Sequence, residues 1–259
     1  MSEVVNTVDV IGDEALTNSI INRTITEIVD SNVTSIGMYV FYNCSNLTTA
    51  DFQNATSADM YAFGNCTGLR KVNFPKITSI GDYSFQRCSS LTDVVIPELI
   101  TIGNNAFVNC TNLAITELPA GVTTIGNNAF TNCTNLALTS IPIGVTEIKR
   151  NTFSGCTSLV LTELPAGLKT IGDAAFFACN SLALTKLPAE LKTIDTTAFL
   201  NCTSLVSLTF KGTPTSIASN AFNGCTNLTT INVPWVEGAV ANAPWGATSA
   251  TINYNYTGG

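Results

Sequence analysis

The apolar positions of this chain recur in fixed columns. Nine cysteines, Cys44, Cys66, Cys88, Cys110, Cys133, Cys156, Cys179, Cys202 and Cys225, are spaced 22 residues apart three times and then 23 apart five times. Three residues before each stands a phenylalanine, from Phe41 to Phe222, and three residues after each a leucine, from Leu47 to Leu228. Eight residues before Cys stand Ile36, Ile80, Ile102, Ile125, Ile148, Ile171, Ile194 and Ile217; only the second repeat departs, with Ala58. A fixed period of this length predicts a solenoid, in which no coil buries its core alone and stacking completes it.

The residues between the columns predict the elements of one coil. Thr-x-Ile reads as a short strand. Gly37, Gly81, Gly103, Gly126 and Gly172 follow the Ile and suit a sharp turn out of that strand. Ala precedes Phe in six repeats, so Ala-Phe-x-x-Cys reads as a single helical or 3-10 turn. After the Leu comes a second strand, ended by Pro75, Pro97, Pro119, Pro142, Pro165, Pro188 and Pro234, which remove a ladder donor. The residue added in the longer repeats falls between this strand and the next Ile, so it lengthens a loop and spares the core.

The inward position of the second strand changes along the chain. The sixth residue after Cys is apolar in five repeats (Ala50, Val72, Val94, Leu208, Ile231). In the other four it is Thr116, Thr139, Thr162 or Thr185, and the fifth is apolar instead (Ile115, Leu138, Leu161, Leu184). This reads as a change of register over the middle coils, with the threonines placed to hydrogen-bond along the stack. The seventh residue points outward and varies: Asp51, Asn73, Val95, Glu117, Ser140, Glu163, Lys186, Thr209, Asn232. Solenoids present such columns as extended binding faces. The candidate binding residues are therefore Asp51, Asn73, Glu117, Ser140, Glu163, Lys186, Thr209 and Asn232; a merely solvated face fits the same pattern.

Composition narrows the chemistry. The 259 residues are 45% hydrophobic and 11% charged, the reverse of a disordered chain. A net charge of −7 and only 11 Lys and Arg make nucleic acid a poor partner. Lys149, Arg150, Lys169 and Lys192 are scattered positive points on a solvated face. With no histidine, Ser-His-Asp and Cys-His catalysis and imidazole zinc sites are excluded. No run approaches the 18 or more apolar residues of a spanning helix, so no membrane insertion is expected. The N-terminus has neither the basic start nor the apolar core of a signal peptide.

Nine cysteines cannot all pair. Equivalent residues of stacked coils lie about 4.8 Å apart, their Cβ atoms parallel and beyond the usual disulfide separation. A ladder of buried thiols is expected, with no metal and no cofactor, because the sulfurs run in a line instead of converging. Glu117 and Glu163 stand two coils apart, about 10 Å by strand spacing. Paired carboxylates suggest glycoside hydrolysis, but an open face has nothing to desolvate an acid. Eleven Asn-x-Ser/Thr sequons occur, many as Asn-Cys-Thr, a placement that favours turn-forming hydrogen bonds. Trp235 and Trp245 are the only tryptophans, and suit closure of the apolar end of the last coil; aromatic faces also stack on sugars.

The unit running Leu168-Lys169-Thr170-Ile171-Gly172-Asp173-Ala174-Ala175-Phe176-Phe177-Ala178-Cys179-Asn180-Ser181-Leu182 resembles the BspA-type leucine-rich repeat, and the likeness covers roughly residues 25 to 233. It implies a repeat solenoid, a right-handed superhelix of stacked short parallel β-strands. It also implies adhesion or host binding instead of catalysis, since such proteins occur on bacterial and protist surfaces and in phage. The expected layout is an N-terminal cap or docking segment (1–24), nine repeats (25–233) and a C-terminal cap (234–259) containing Trp235 and Trp245. The expected function is a non-enzymatic recognition module binding a host or cell-surface protein or glycan. A variant is a phage tail or fibre component contacting other virion proteins, favoured by the missing signal peptide and by the C-terminal stretch from Pro234-Trp235 to Tyr256, which looks like phage repeat endings. A glycosidase built on Glu117 and Glu163 is the opposing class. The location is left unknown by the sequence, with the extracellular surface and the virion as the alternatives.

Overall fold

Short polar–apolar alternation sets the two strand ladders of the solenoid. The structure, a computed structural model, describes residues 25–258; the N-terminal segment expected over 1–24 lies outside them. One ladder is built from two-residue strands at the isoleucine column: Ser35–Ile36, Ser57–Ala58, Ser79–Ile80, Thr101–Ile102 and Thr124–Ile125, then Glu147–Ile148, Thr170–Ile171, Thr193–Ile194 and Ser216–Ile217. The first five form one parallel sheet and the last four another, and within each a strand pairs with the same position one coil on, as Ile80 with Ile102 and Ile171 with Ile194. The apolar residue points inward throughout, including the small Ala58.

The second ladder has two separate parts. Glu27–Asp30, Thr49–Phe52, Lys71–Asn73 and Asp93–Val95 form one parallel sheet, and Lys186–Leu187, Ser207–Phe210, Thr230–Asn232 and Thr251–Asn253 another. Between them the expected second strands are missing: residues 114–118, 137–141 and 160–164 are irregular. The predicted change of inward residue does occur, with Leu138, Leu161 and Leu184 buried and Thr139, Thr162 and Thr185 exposed. Two registers cannot continue one ladder, since a shift of one residue reverses the faces. Of the aligned threonines, Thr139 donates both its N–H (3.1 Å) and its hydroxyl (3.4 Å) to the carbonyl of Thr116, whereas Thr185 reaches Thr162 through its N–H alone.

The third side corrects the expectation of a helical turn. Among the described residues there is no helix. Bonds of the i→i−3 kind are present, as from Cys44 N–H to the Phe41 carbonyl at 3.1 Å and from Leu47 N–H to the Cys44 carbonyl at 3.1 Å. They do not propagate, because left-handed residues frame each phenylalanine from Phe41 to Phe199: Tyr39 (φ 60°) and Asn43 (φ 63°) around Phe41, Asn105 (φ 56°) and Asn109 (φ 61°) around Phe107. This backbone aims three N–H groups at the next coil. Those of Tyr39, Phe41 and Asn43 reach the carbonyls of Met60, Ala62 and Gly64 at 3.1, 2.8 and 2.8 Å, and the pattern repeats down the stack. A third ladder thus replaces the helix.

The core lies between these three sides. The phenylalanine rings stack from Phe41 to Phe222, with successive centroids 5.0–5.6 Å apart. Full burial of such a side chain stabilises by about 1.5–3 kcal/mol, and here each ring is buried by its neighbours in the stack. All nine cysteines are buried and none is in a disulfide. The thiols from Cys66 to Cys225 each donate to the carbonyl of the phenylalanine one coil back, at 2.9–3.2 Å.

The glycines after the isoleucine are needed for space and not for a left-handed turn. A Cβ on Gly103 would lie 2.6 Å from the Gly81 carbonyl carbon, and one on Gly126 would lie 2.5 Å from the amide nitrogen of Asn104. At the other end, Thr230–Asn232 pairs in register with Thr251–Asn253. Asn242 (φ 69°) and Gly246 (φ 87°) repeat the left-handed framing, and the Trp245 carbonyl accepts from Phe222 N–H at 2.9 Å. Trp245 is fully buried and Trp235 nearly so, both packed near Phe210. Residues 242–253 therefore have the geometry of a tenth, degenerate coil.

Candidate functional site

The outward column divides into engaged and open residues. Asp51 accepts from Gln53 and, at 3.1 Å, from the Asn73 amide. Thr209 accepts from Asn232 at 3.2 Å, and Asn232, itself buried, accepts from Asn253 at 2.8 Å. These four stand on the two regular sheets and bond one another along the stack. Glu117, Ser140, Glu163 and Lys186 are exposed. The first three lie in the irregular stretch between the sheets, so the most accessible candidates cluster where the second ladder is interrupted.

The interruption opens a cleft of about 690 Å³, whose lining includes Val95, Glu117 and Ser140. Its floor is apolar, with Ile96, Leu118 and Ile141 continuing the core outward. Ile143 stands at its margin with 80% of its surface exposed. Sequence reasoning identified the column but not the cleft. The signal was present: the apolar position moves from Val94 to Ile115 in adjacent coils, and the spacing changes from 22 to 23 directly after Cys110.

Two other surface groups belong to neighbouring sides. Tyr39, Tyr61 and Tyr83 stack with centroids 4.9 and 4.6 Å apart, and Tyr42 meets the first two edge-on. Burial and the adjacent phenols raise the Tyr61 hydroxyl above its ordinary range. Glu147, Lys149, Arg150, Asp173 and Asp195 form a mixed-charge cluster, with Arg150 Nε 3.4 Å from Asp173. Partial burial and the Asp173 and Glu147 carboxylates raise the Asp195 carboxyl. Among the described residues no three His, Cys, Asp or Glu side chains gather for a metal, and no helix is long and apolar enough to cross a membrane.

The model of the BspA type leucine rich repeat region matches residues 9–137 and 123–238. The chain belongs to that family. Among solved structures, it is 28% identical to the leucine rich repeat protein TpLRR of T. pallidum, over 62% of this chain and 80% of that one, with a TM-score of 0.56. It is 25% identical to a leucine rich cell surface protein of Faecalibacterium prausnitzii A2-165, over 96% of this chain and 83% of that one, with a TM-score of 0.53. The pneumococcal vaccine antigen PcpA shares the fold at 18% identity, over 88% and 67% of the two chains, with a TM-score of 0.58. No curated protein matches the chain. In this BspA-type chain the core columns are the Ile, Phe, Cys and Leu ladders.

Proposed function

We propose that this protein is a non-enzymatic recognition module that binds a protein or glycan on a cell surface through the side bearing Glu117, Ser140, Glu163 and Lys186. One observation carries the reading: the core columns repeat one residue type from coil to coil, while these exposed positions run Glu, Ser, Glu, Lys. Packing demands cannot account for that variety, since these side chains are outside the core. The cell surface as location rests on family membership and on the printed description of the Faecalibacterium relative. Glu117 and Glu163 are both exposed, an arrangement suited to contact more than to desolvated acid catalysis.

Binding to whole cells and to protein and glycan arrays tests it. The triple change Glu117→Lys, Glu163→Lys and Lys186→Glu should lower binding at least tenfold and leave the melting temperature unchanged. Unaltered binding would move the site to another side. Sugar-release assays of the parent chain, Glu117→Gln and Glu163→Gln address hydrolysis; activity abolished by either change would overturn the reading.

A further inference from the structure

The cleft between the third and fourth coils has three properties that together select an occupant. Its side chains are mostly apolar, Val95, Ile96, Leu118, Pro119, Ile141 and Ile143 among them, with polar backbone exposed between them. It carries backbone groups that elsewhere bond from coil to coil. On this side Phe74 N–H reaches the Val95 carbonyl at 2.9 Å, and bonding resumes only with Ala137 N–H to the Ile115 carbonyl at 3.3 Å. Among the described residues no backbone bond joins 93–96 to 114–118, although Val94 and Ile115 both line the cleft. Its charge is of one sign. Glu117 lines it and Glu98 adjoins its Pro97, and neither is in an ion pair among the described residues.

We propose that the cleft receives an extended, apolar and cationic peptide segment of a partner protein. Apolar side chains of the segment pack on the floor and against Ile143, its main chain bonds the backbone edge at Val94 and the Ile115 N–H, which no backbone bond joins to each other, and a Lys or Arg meets Glu117. A glycan fits less well, because neither an aromatic ring nor a side-chain amide is among the lining residues. The inference rests on the recognition reading and names the partner chemistry for the same side.

Selection of displayed random twelve-residue peptides on the immobilised protein tests the inference. Enriched peptides should be net positive with alternating apolar residues. Their affinity should fall at least tenfold with Ile143→Asp and with Glu117→Lys, and should be unchanged with Val206→Asp, an exposed valine outside the cleft. Because Ile143 is exposed, Ile143→Asp should melt with the parent. Acidic enriched peptides, no enrichment, indifference to Ile143→Asp, or displacement of the peptides by an oligosaccharide would overturn the proposal. So would sedimentation showing a dimer that Ile143→Asp dissociates, since the occupant would then be a second copy. Whole-cell binding separates the two readings. If Ile143→Asp binds cells as the parent does, the peptide cleft fails and recognition stands. If the parent binds no cells, recognition fails, and the peptide selection still decides the cleft.

Discussion

The thiol of Cys66 donates to the carbonyl of Phe41, one coil back, at 2.9 Å. That carbonyl already accepts Cys44 N–H at 3.1 Å, so the sulfur fills its second lone pair. A residue chosen for size alone would be Ala or Val; Cys adds a weak donor at a buried acceptor. The cysteine column thus ties adjacent coils through side chain and backbone, alongside the packing of the phenylalanine stack.

Cys133→Ala should destabilise the protein by about 1–2 kcal/mol, from lost packing and the lost bond to Phe107. Cys133→Ser separates the two contributions. If the donor matters, Ser should be no worse than Ala; were the column apolar packing alone, burying a hydroxyl would make Ser worse by about 1–3 kcal/mol. Urea denaturation of the three proteins measures the difference.

Burial raises the thiols of Cys66, Cys88, Cys133, Cys156 and Cys202 well above their ordinary range, and pushes Cys225, nearer the end of the stack, up to about 11. The unfolded chain loses these protons near pH 8.5, and the folded chain keeps them. Above that pH the unfolded state binds fewer protons, so stability falls as pH rises. The contribution is complete below about pH 8.5 and declines by roughly 1.4 kcal/mol per pH unit for each shifted thiol until the folded group also ionises. Denaturation at pH 8 and pH 10 should show the loss. Iodoacetamide at pH 10 should label Cys225 before Cys156 or Cys202, as read by mass spectrometry; equal labelling would contradict the shielding of the inner thiols.

The core was legible because stacking enforces identity: a Phe can stack only on a ring, and a misplaced residue breaks the column at Phe41 as at Phe222. What failed to show was backbone conformation. Ala62-Phe63 and Ala106-Phe107 look helical by propensity, yet Tyr61 (φ 55°) and Asn105 (φ 56°) are left-handed, because bonding to the next coil outweighs a local preference of under about 1 kcal/mol per residue. Asn was the visible clue, since it tolerates this conformation better than most residues. The cleft was half legible. The switch from Val94 to Ile115 announced a change of register, but not that three strands would be lost. The exposed column was readable as outward, whereas its hydrogen bonds, such as Asn73 to Asp51, depend on neighbours that a single coil does not reveal.

Gly126→Ala should cost about 2 kcal/mol, because the new Cβ would meet Asn104 N and the Gly103 carbonyl carbon at 2.5 Å, backbone that moves only with the coil. Gly167 has nothing within 4 Å of its would-be Cβ and no left-handed backbone. Gly167→Ala should therefore stabilise by about 0.4–1 kcal/mol through the unfolded chain. Parallel melts of the two variants check both signs. A stable Gly126→Ala would show that the turn shifts freely, as the same position must in coils carrying Lys149 or Asp195.

Ala178 occupies the left-handed position before Cys179 with φ 54°, where equivalent coils have Asn109, Asn132 and Asn201 at φ 59–63°. An ordinary residue there costs about 1–2 kcal/mol, and Asn reduces that cost by bonding locally. Ala178→Asn should accordingly raise stability by up to about 1 kcal/mol. The reverse case is Asn109→Val. It places a β-branched residue at φ 61° and removes the amide oxygen that accepts from Asn132 at 3.0 Å. It should lose about 2 kcal/mol or more, and Asn109→Gly, which keeps the backbone conformation but not the amide, should recover most of that loss. If Val and Gly destabilise equally, the amide ladder and not the backbone angle selects Asn at this position; a series of urea denaturations on the parent and the three variants decides it.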